Sequence, residues 1–271
     1  MLAALLHLTL RIEGRQRFAA GLGTVAGGCQ GWPIAPGGVM IGGTGAGRRG
    51  MVNMAEAEDP ERPVLFGSFT SSSSYKPMLF LALSGLGFGF RTVNLKTGLQ
   101  KSPEYLALNP YGQVPALRHR GLTVIQSNVI LDYLARATGH FEGRTEQARW
   151  AARAWLSWEA DAITNIAKVR HYRRFRSVDP AVMAYFLPLA EAALDVVERS
   201  LGDGRDWLVG EEAPSIADIG CWGRMVFMAE GGIEIGRWPR LQAWAERLAA
   251  LPGFGLPYDL IPKKDAEFAG R

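Results

Sequence analysis

The chain has 271 residues, enough for one large or two ordinary domains with hydrophobic cores. Its composition, 48% hydrophobic and 21% charged, is typical of a soluble globular protein. The net charge of +4 arises in residues 1–50, which hold five arginines and one acid, because the remaining 30 − 5 = 25 basic and 26 − 1 = 25 acidic residues cancel. A neutral body excludes the electrostatic footprint of a nucleic-acid-binding protein.

Cysteine usage and hydropathy limit the cellular context. Cys29 and Cys221 lie in regions of different character, and neither belongs to a Cys-x-x-Cys motif, so we expect no disulfide scaffold and no metal site. No uninterrupted apolar run reaches the length of a membrane span. Residues 1–10 are apolar, but charges follow them rather than precede them, which is the wrong order for a secretory signal. We therefore expect a cytoplasmic protein without a membrane partner.

Residues 1–60 differ from the rest of the chain. They contain 13 of the 33 glycines and little periodicity, which predicts a disordered extension or upstream sequence translated from a misplaced start. Met51 and Met54 are the alternative starts, and an organelle transit peptide is a further interpretation. The glycine-rich residues 42–47 are not expected to form a phosphate loop, because no Gly-Lys-Ser/Thr and no helical pattern follow them.

From Pro63 onward the chain alternates between strand and helix patterns. The predicted order is strand, helix, strand, short helix, hairpin and helix, over residues 64–69, 76–83, 88–95, 102–108, 116–125 and 127–137. Pro77 fits the first turn of its helix and not a deeper position. A βαβ unit followed by a helix and a ββα unit predicts a thioredoxin-like α/β domain over residues 62–138.

After Gly139 the strand patterns disappear. Four helices are predicted, over residues 144–175, 180–201, 215–231 and 240–251, so that residues 144–262 form an all-helical domain followed by a tail, 263–271. Ser215 and Asp218 have the spacing of a capping box, in which the serine caps the helix and the aspartate accepts from the serine amide. Their predicted role is structural.

Two dipeptides about a dozen residues apart suggest a binding site for a small peptide. Pro115 removes a backbone donor and can follow a cis peptide bond, which leaves the polar groups of Val114 available for another partner. Ser127, after Gln126, opens an apolar-periodic run and is predicted to be an N-cap, where exposed amides favour an anion. An extended backbone beside such a helix end suits a peptide with a free carboxylate.

These residues together resemble the cytosolic glutathione S-transferase family, over residues 62–262. The resemblance rests on Asn-Pro-x-Gly-Gln-Val-Pro-x-Leu at residues 109–117, on Gln126-Ser127, on Trp-Leu-Val-Gly at residues 207–210 and on Ser-Ile-Ala-Asp-Ile at residues 215–219. It implies a thioredoxin-like domain that binds glutathione as co-substrate, a helical domain that shapes the site of a hydrophobic electrophile, and a homodimer.

The resemblance also assigns the glutathione contacts. The backbone of Val114, before Pro115, would pair with the cysteinyl unit of glutathione. Gln126 and Ser127 would hold the γ-glutamyl end, with its carboxylate on the serine hydroxyl and the helix amides. Gln113 and Gln100 are further candidates for contact with the tripeptide. The alternative for the serine is an ordinary N-cap without a ligand.

The serine cluster at residues 71–74 occupies the catalytic position. The nucleophile is the glutathione thiolate, and a hydroxyl donor at a helix start lowers the thiol pKa. An ungapped match to the zeta-class pattern Ser-Ser-Cys-Ser makes Ser71 the donor and Ser72 the second choice, although Thr70 and Ser73 depart from that pattern. Tyr75 lies later than the family's usual tyrosine. The serine cluster contains no cysteine, which argues against disulfide exchange. The alternative is a polyserine turn that only caps the helix.

In the family the helix over residues 144–175 borders the electrophile site, so Trp158, Tyr172 and Arg173 are candidate electrophile contacts. The leading hypothesis is a glutathione transferase that attacks a hydrophobic electrophile. The alternatives are a glutathione-dependent cis–trans isomerase of the maleylacetoacetate type and a non-catalytic glutathione-binding or protein-interaction module.

Overall fold

The computed structural model describes residues 59–271. The glycine-rich extension through residue 58, with Cys29, the two alternative starts and residues 42–47, lies outside the described residues. Within residues 59–271 the strands are β1 (Val64–Gly67), β2 (Phe88–Thr92), β3 (Ala116–His119), β4 (Leu122–Ile125) and β5 (Ala266–Phe268).

The helices of the described residues follow the predicted order with two additions, a π-helical turn and a short last helix. They are α1 (Ser72–Ser84), α2 (Pro103–Leu108), α3 (Ser127–Thr138), α4 (Glu146–Trp158), α5 (Thr164–Phe175), α6 (Pro180–Ser200), α7 (Ile216–Met225), α8 (Pro239–Ala249) and α9 (Pro257–Leu260). The π-helical turn Glu159–Ile163 joins α4 to α5, and short 3-10 turns cover Leu95–Thr97, Leu99–Lys101, Met228–Gly231 and Ile235–Arg237.

The sheet has the order β4-β3-β1-β2-β5. The central strand β1 is buried along its whole length, pairs in parallel with β2 (Leu65 beside Phe90) and pairs antiparallel with β3 (Leu65 beside Leu117). The parallel pair requires a crossover, which α1 supplies. The predicted thioredoxin-like fold with a helical second half is confirmed.

The fifth strand comes from the C-terminal residues that the sequence left as a tail. β5 pairs antiparallel with β2, and Phe268 stacks on Phe88 with ring centroids 4.4 Å apart. Glu267 forms ion pairs with Arg62 at 3.0 Å and with Arg91 at 2.5 Å. A three-residue strand is too short to show alternation in the sequence, so its partners rather than its own pattern determine it.

Helix α1 begins four residues before the predicted start, because Ser71 caps it. The backbone N–H of Ser74 donates to Ser71 Oγ at 3.2 Å, and Gly85 ends the helix with φ of +69°. Pro77 therefore lies inside the helix, where it cannot donate to the carbonyl of Ser73. Burial of the apolar side chains of residues 78–81 compensates for this lost hydrogen bond.

In the helical half, the Ser215–Asp218 capping box is confirmed. Asp218 accepts from the Ser215 amide at 2.8 Å, and its other oxygen accepts from the amide of Leu208 and the indole of Trp244, each at 2.9 Å. Burial raises the pKa of Asp218 despite these donors. The box therefore fixes α7 in the core.

The sequence predicted no membrane span, yet α6 is, among the described helices, the one long and apolar enough to cross a membrane by length and composition. Its most apolar 18-residue window has a mean hydropathy of 1.5, and 22% of that window is buried. The helix also carries acids on one face. Asp195 accepts from the Trp238 indole at 2.7 Å, and Glu198 accepts from the Leu241 amide at 2.9 Å. These bonds join α6 to α8 within the helical half.

Candidate functional site

A cavity of about 420 Å³ opens between the start of α1, the segment before β3 and the start of α3. All the predicted glutathione contacts and the first-choice serine line it: Ser71, Gln100, Gln113, Val114, Pro115, Gln126 and Ser127. Four separate stretches of sequence supply these residues. Ser73, a member of the predicted serine cluster but not one of its two preferred donors, also lines the cavity, and so does Arg224, which the sequence did not indicate.

The Val114–Pro115 peptide bond is cis. The carbonyl before it, that of Gln113, accepts from the Tyr105 hydroxyl at 2.9 Å and from Asn109 Nδ2 at 2.7 Å. Within residues 59–271 the backbone N–H and C=O of Val114 have no hydrogen-bond partner. The segment is thus held in place from one side while Val114 keeps its backbone groups for a ligand.

Ser127 is not the N-cap that the sequence predicted. Gln126 occupies the cap position with φ of +69°, and Ser127 is already the first helical residue. This positive φ turns the chain into α3 one residue earlier than a serine cap would. The Ser127 side chain is buried, and its hydroxyl makes no hydrogen bond to the described residues. Its hydroxyl is therefore available to a ligand.

Gln100 and Gln113 contribute different groups to the cavity. The Oε1 atom of Gln100 is buried without a hydrogen-bond partner, which is unfavourable unless a ligand or water supplies a donor. The Gln113 side chain is exposed, and only its carbonyl is engaged in the fold.

The serine cluster presents each hydroxyl differently. Ser71 Oγ accepts from the Ser74 amide, so its own hydrogen can be donated into the cavity. Ser72 is buried and accepts from Arg224 Nη1 at 3.2 Å, and it does not line the cavity. Ser73 lines the cavity beside Ser71. Of the two predicted serines, only Ser71 lines this cavity.

Tyr75 cannot serve as the hydroxyl donor. Its ring is completely buried, and its hydroxyl donates to the carbonyl of Gly255 at 2.8 Å. Burial raises the pKa of the Tyr75 phenol, and only a weaker hydrogen-bonding effect of Trp222 opposes this. Tyr75 instead connects α1 to the C-terminal segment.

The structure does not bring the three predicted electrophile contacts to this cavity. Trp158 lines a separate groove of about 470 Å³ between α5 and α6, and Tyr172 stacks on Phe186 of that groove at 5.6 Å. Arg173 donates to the carbonyl of Gly231 at 2.7 Å. The reason is helical phase, since positions 158 and 172 lie on the face of the helix that is turned toward α6.

Arg170, on a different face of α5, does reach the serine loop. Its Nη1 donates to the carbonyl of Thr70 at 2.9 Å, its Nε to Glu230 at 2.8 Å and its Nη2 to the Tyr258 hydroxyl at 3.2 Å. Its guanidinium also lies 3.6 Å from the ring centroid of Phe227. The sequence contained a signal for this: Arg170 continues the buried stripe of Ile163 and Ile166 at helical spacing.

A buried ionic cluster lies on the other side of the serine cluster. Glu159, in the π-helical turn, accepts from Lys76 Nζ at 2.6 Å and from Asn128 Nδ2 at 2.7 Å on one oxygen, and from Arg224 Nε at 2.8 Å on the other. Its members come from α1, α3, the π-helical turn and α7, so no short sequence motif contains them.

Burial and the pairing of charges act in opposite directions in this cluster. Burial, reinforced by repulsion from Arg224, lowers the pKa of Lys76 to about 8, against the attraction of Glu159. Burial raises the pKa of Glu159, but Lys76 and Arg224 together outweigh it and hold this pKa below its ordinary value. The carboxylate therefore stays ionised at neutral pH.

The comparisons with known proteins identify the family. Residues 64–136 match the family model described as glutathione S-transferase, N-terminal domain. The maleylacetoacetate isomerase of Pseudomonas aeruginosa is 30% identical over 199 residues, 70% of this chain and 92% of that protein. The disulfide-bond oxidoreductase YfcG of Escherichia coli is 28% identical over 193 residues, 68% of this chain and 88% of that protein.

Solved structures agree with the sequence relatives. A glutathione S-transferase from Pseudomonas fluorescens has a TM-score of 0.66 at 30% identity, covering 72% of this chain and 98% of its own. A glutathione transferase from Burkholderia graminis, solved with two glutathione molecules bound per subunit, has a TM-score of 0.65 at 25% identity, covering 72% and 86%. The fold, the cavity and these relatives together place the chain in the glutathione S-transferase family.

Proposed function

We propose that this protein is a cytoplasmic glutathione transferase in which the Ser71 hydroxyl activates the glutathione thiol for attack on a hydrophobic electrophile. The observation that carries the proposal is the presence of Ser71, Val114 and Ser127 around one cavity. A tripeptide thiol whose cysteinyl backbone pairs with Val114 and whose γ-glutamyl end lies at α3 would meet the start of α1 with its sulfur.

The chemistry follows from the position of Ser71. Its hydroxyl donates to the sulfur, and the positive end of the thirteen-residue helix α1 favours the thiolate over the thiol. The thiolate then attacks a carbon that carries a leaving group or is conjugated to a carbonyl. The protein contributes the alignment of the two reactants and a lowered thiol pKa.

The first test replaces Ser71 with alanine and measures the pKa of bound glutathione from the ultraviolet absorbance of its thiolate. We expect a rise of about 1 pKa unit or more, because a hydrogen bond to a charged acceptor is worth roughly 1.5–3 kcal/mol. Ser71→Thr, which keeps the hydroxyl and the helix cap, should behave like the wild type. An unchanged pKa in Ser71→Ala with a raised one in Ser73→Ala would transfer the role to Ser73.

Glutathione-dependent cis–trans isomerisation is the second candidate. The isomerase of Pseudomonas aeruginosa supports it, together with the serine cluster that matches the zeta pattern without a gap. In this reaction the thiolate adds, the bond rotates and the thiolate leaves. Turnover of maleylacetone without turnover of aryl halides or alkenals would favour isomerisation. Glutathione binding without any turnover would favour a non-catalytic module.

We also propose that the protein is a homodimer. Large apolar side chains that are mostly exposed lie on three helices: Val129 on α3, Trp150 on α4 and Tyr185 on α6, which are 54%, 63% and 66% exposed. Large exposed apolar side chains are candidates for contact with a partner, and symmetric dimers are the commonest assembly. Sedimentation equilibrium should give twice the chain mass, and Tyr185→Glu should shift the protein toward the monomer. A wild-type monomer at micromolar concentration would refute the dimer.

A further inference from the structure

Arg224 lies where two cavities meet. The glutathione cavity and a second cavity of about 400 Å³, between α3, α4 and α7, share Gln126, Ser127 and Arg224 in their linings. The shared residues include the predicted site of the γ-glutamyl end. Arg224 belongs to the helical half of the molecule, and it lines the same two cavities as Gln126 and Ser127 at the start of α3.

The donors of Arg224 are only partly used. A guanidinium has five N–H groups. In Arg224 the Nε donor is taken by Glu159 and one Nη1 donor by Ser72, and the remaining three have no partner among residues 59–271. The side chain is 19% exposed, while that of Glu159 is fully buried. The unused donors can therefore serve a ligand in the cavity.

The charges around Arg224 do not balance. Lys76 and Arg224 carry two positive charges against the single negative charge of Glu159, which leaves a net charge of +1. The other charges that line the second cavity, Asp132 and Arg153, lie 2.7 Å apart as an ion pair without hydrogen-bond alignment and so cancel each other. An excess positive charge at low exposure favours an anion as its partner.

The backbone of α7 makes this arrangement possible. A Cβ atom at Gly223 would lie 2.4 Å from Cγ of Lys76, so α7 can approach α1 this closely only with glycine at that position. The close approach brings the next residue, Arg224, within hydrogen-bond distance of Ser72. Glu159 then fixes the direction of the guanidinium.

We propose that Arg224 binds the α-carboxylate of the γ-glutamyl unit of glutathione, together with Ser127 and the first amides of α3. This inference rests on the proposed function. It adds a positive charge from the helical half to a site that the sequence placed entirely on the thioredoxin-like half. The ion pair with Glu159 keeps the guanidinium oriented when the cavity is empty, so little ordering is required on binding.

The test is a double-mutant-type cycle in which one change is made in the protein and one in the ligand, and the Kd of each of the four pairs is measured by calorimetry. Wild type and Arg224→Met are each titrated with glutathione and with γ-aminobutyryl-cysteinyl-glycine, which has hydrogen in place of the α-carboxylate. We expect the analogue to bind the wild type about 10–100-fold more weakly than glutathione, and Arg224→Met to bind glutathione more weakly by a similar factor. In the variant the analogue and glutathione should differ by a smaller factor than in the wild type, because the contribution of Arg224 is lost while Ser127 and the first amides of α3 still bind the carboxylate.

A matched double variant controls for changes in the lining of the neighbouring cavity. Arg153→Met combined with Asp132→Asn removes that ion pair, leaves the net charge unchanged and should bind glutathione within about twofold of the wild type. S-methylglutathione has no thiol. The ratio of its Kd for Arg224→Met to its Kd for the wild type should equal the same ratio for glutathione. A ratio that disappears with this ligand would assign Arg224 to the thiolate and overturn the proposal.

The remaining outcomes separate the two hypotheses. If wild type does not bind glutathione, the proposed function fails. If it binds glutathione and the decarboxylated analogue equally well, the carboxylate contacts of Arg224, Ser127 and the α3 amides fail while glutathione binding itself stands, and this comparison needs no variant to fold. Equal glutathione affinity in wild type and Arg224→Met would also overturn the assignment.

Discussion

Two arginines approach the serine-bearing start of α1 from the helical half, and they are used in different ways. Arg170 has a protein partner for each of its three nitrogens, on Thr70, Glu230 and Tyr258, and lies against the ring of Phe227. Arg224 directs two donors to Glu159 and Ser72, and its other three have no partner among residues 59–271. Both are shielded, but Arg224 alone of the two lines the cavity that contains Ser71, Val114 and Ser127.

The number of donors already used distinguishes an arginine that stabilises the structure around a site from one that can bind a ligand. A buried arginine with a full set of partners fixes the groups around it, because any movement would leave a charge without compensation. An arginine fixed by only some of its donors is oriented but can still bind a ligand. We therefore interpret Arg170 as a clamp on the loop before Ser71, and Arg224 as a binding residue.

The largest effect is expected from Glu159→Gln, which removes the acid that pairs with both Lys76 and Arg224. Two shielded positive charges would remain without compensation, and breaking a buried pair in this way costs about 3–5 kcal/mol of unfolding free energy. Urea unfolding followed by tryptophan fluorescence measures the loss. Glu191→Gln, which removes a partly exposed partner of Arg237, should cost less than about 1 kcal/mol.

Adding Arg224→Met to Glu159→Gln should recover part of this stability, since only Lys76 would then lack a partner.

The pH dependence of stability tests the same cluster. The pKa of Glu159 is below its ordinary value of 4.5 in the folded protein, so its contribution to stability is complete above pH 4.5 and is lost as the pH falls through the folded pKa. The wild type should therefore lose more stability than Glu159→Gln over that range. Equal acid dependence, or a loss no larger than that of Glu191→Gln, would contradict the role of the cluster.

The contrast between the two arginines also marks the limit of the sequence analysis. The elements of the sheet could be predicted, and the predicted binding residues line one cavity, because Val114-Pro115 and Gln126-Ser127 are local signals with a direct backbone meaning. The sequence does not reveal which face of the helix over residues 144–175 is turned toward the serines, because its aromatic residues are distributed around the helix. In addition, Glu159 begins a π-helical turn in its middle, which changes the helical phase. Trp158 and Tyr172 consequently face α6 rather than the serines.

The cluster of Lys76, Glu159 and Arg224 could not be predicted in the same way. Its charged members are separated by more than sixty residues, and each alone has the appearance of a solvated charge on a helix. Only packing shows that they meet, since glycine at position 223 allows α7 to approach α1. Ser127 illustrates a smaller error, because a serine at the first helical position and a serine at the N-cap have the same sequence signature.

The smaller effect on stability is expected from Arg170→Met, which removes the clamp. Three hydrogen bonds are lost, but Glu230 keeps Arg174 at 3.3 Å and the Tyr258 hydroxyl at 2.7 Å, so we expect a loss of about 2 kcal/mol in unfolding free energy. Arg174→Met, at an exposed position, should cost less than about 1 kcal/mol.

Arg170→Met should also affect catalysis. Because Thr70 directly precedes Ser71, the kcat of this variant should fall about tenfold through loss of alignment, while its Kd for glutathione changes less than about threefold. Arg224→Met should show the reverse, with weak glutathione binding and a smaller change in stability. If Arg170→Met weakened glutathione binding as strongly as Arg224→Met and left kcat unchanged, the two arginines would not differ in role, and the spare donors of Arg224 would not explain its function.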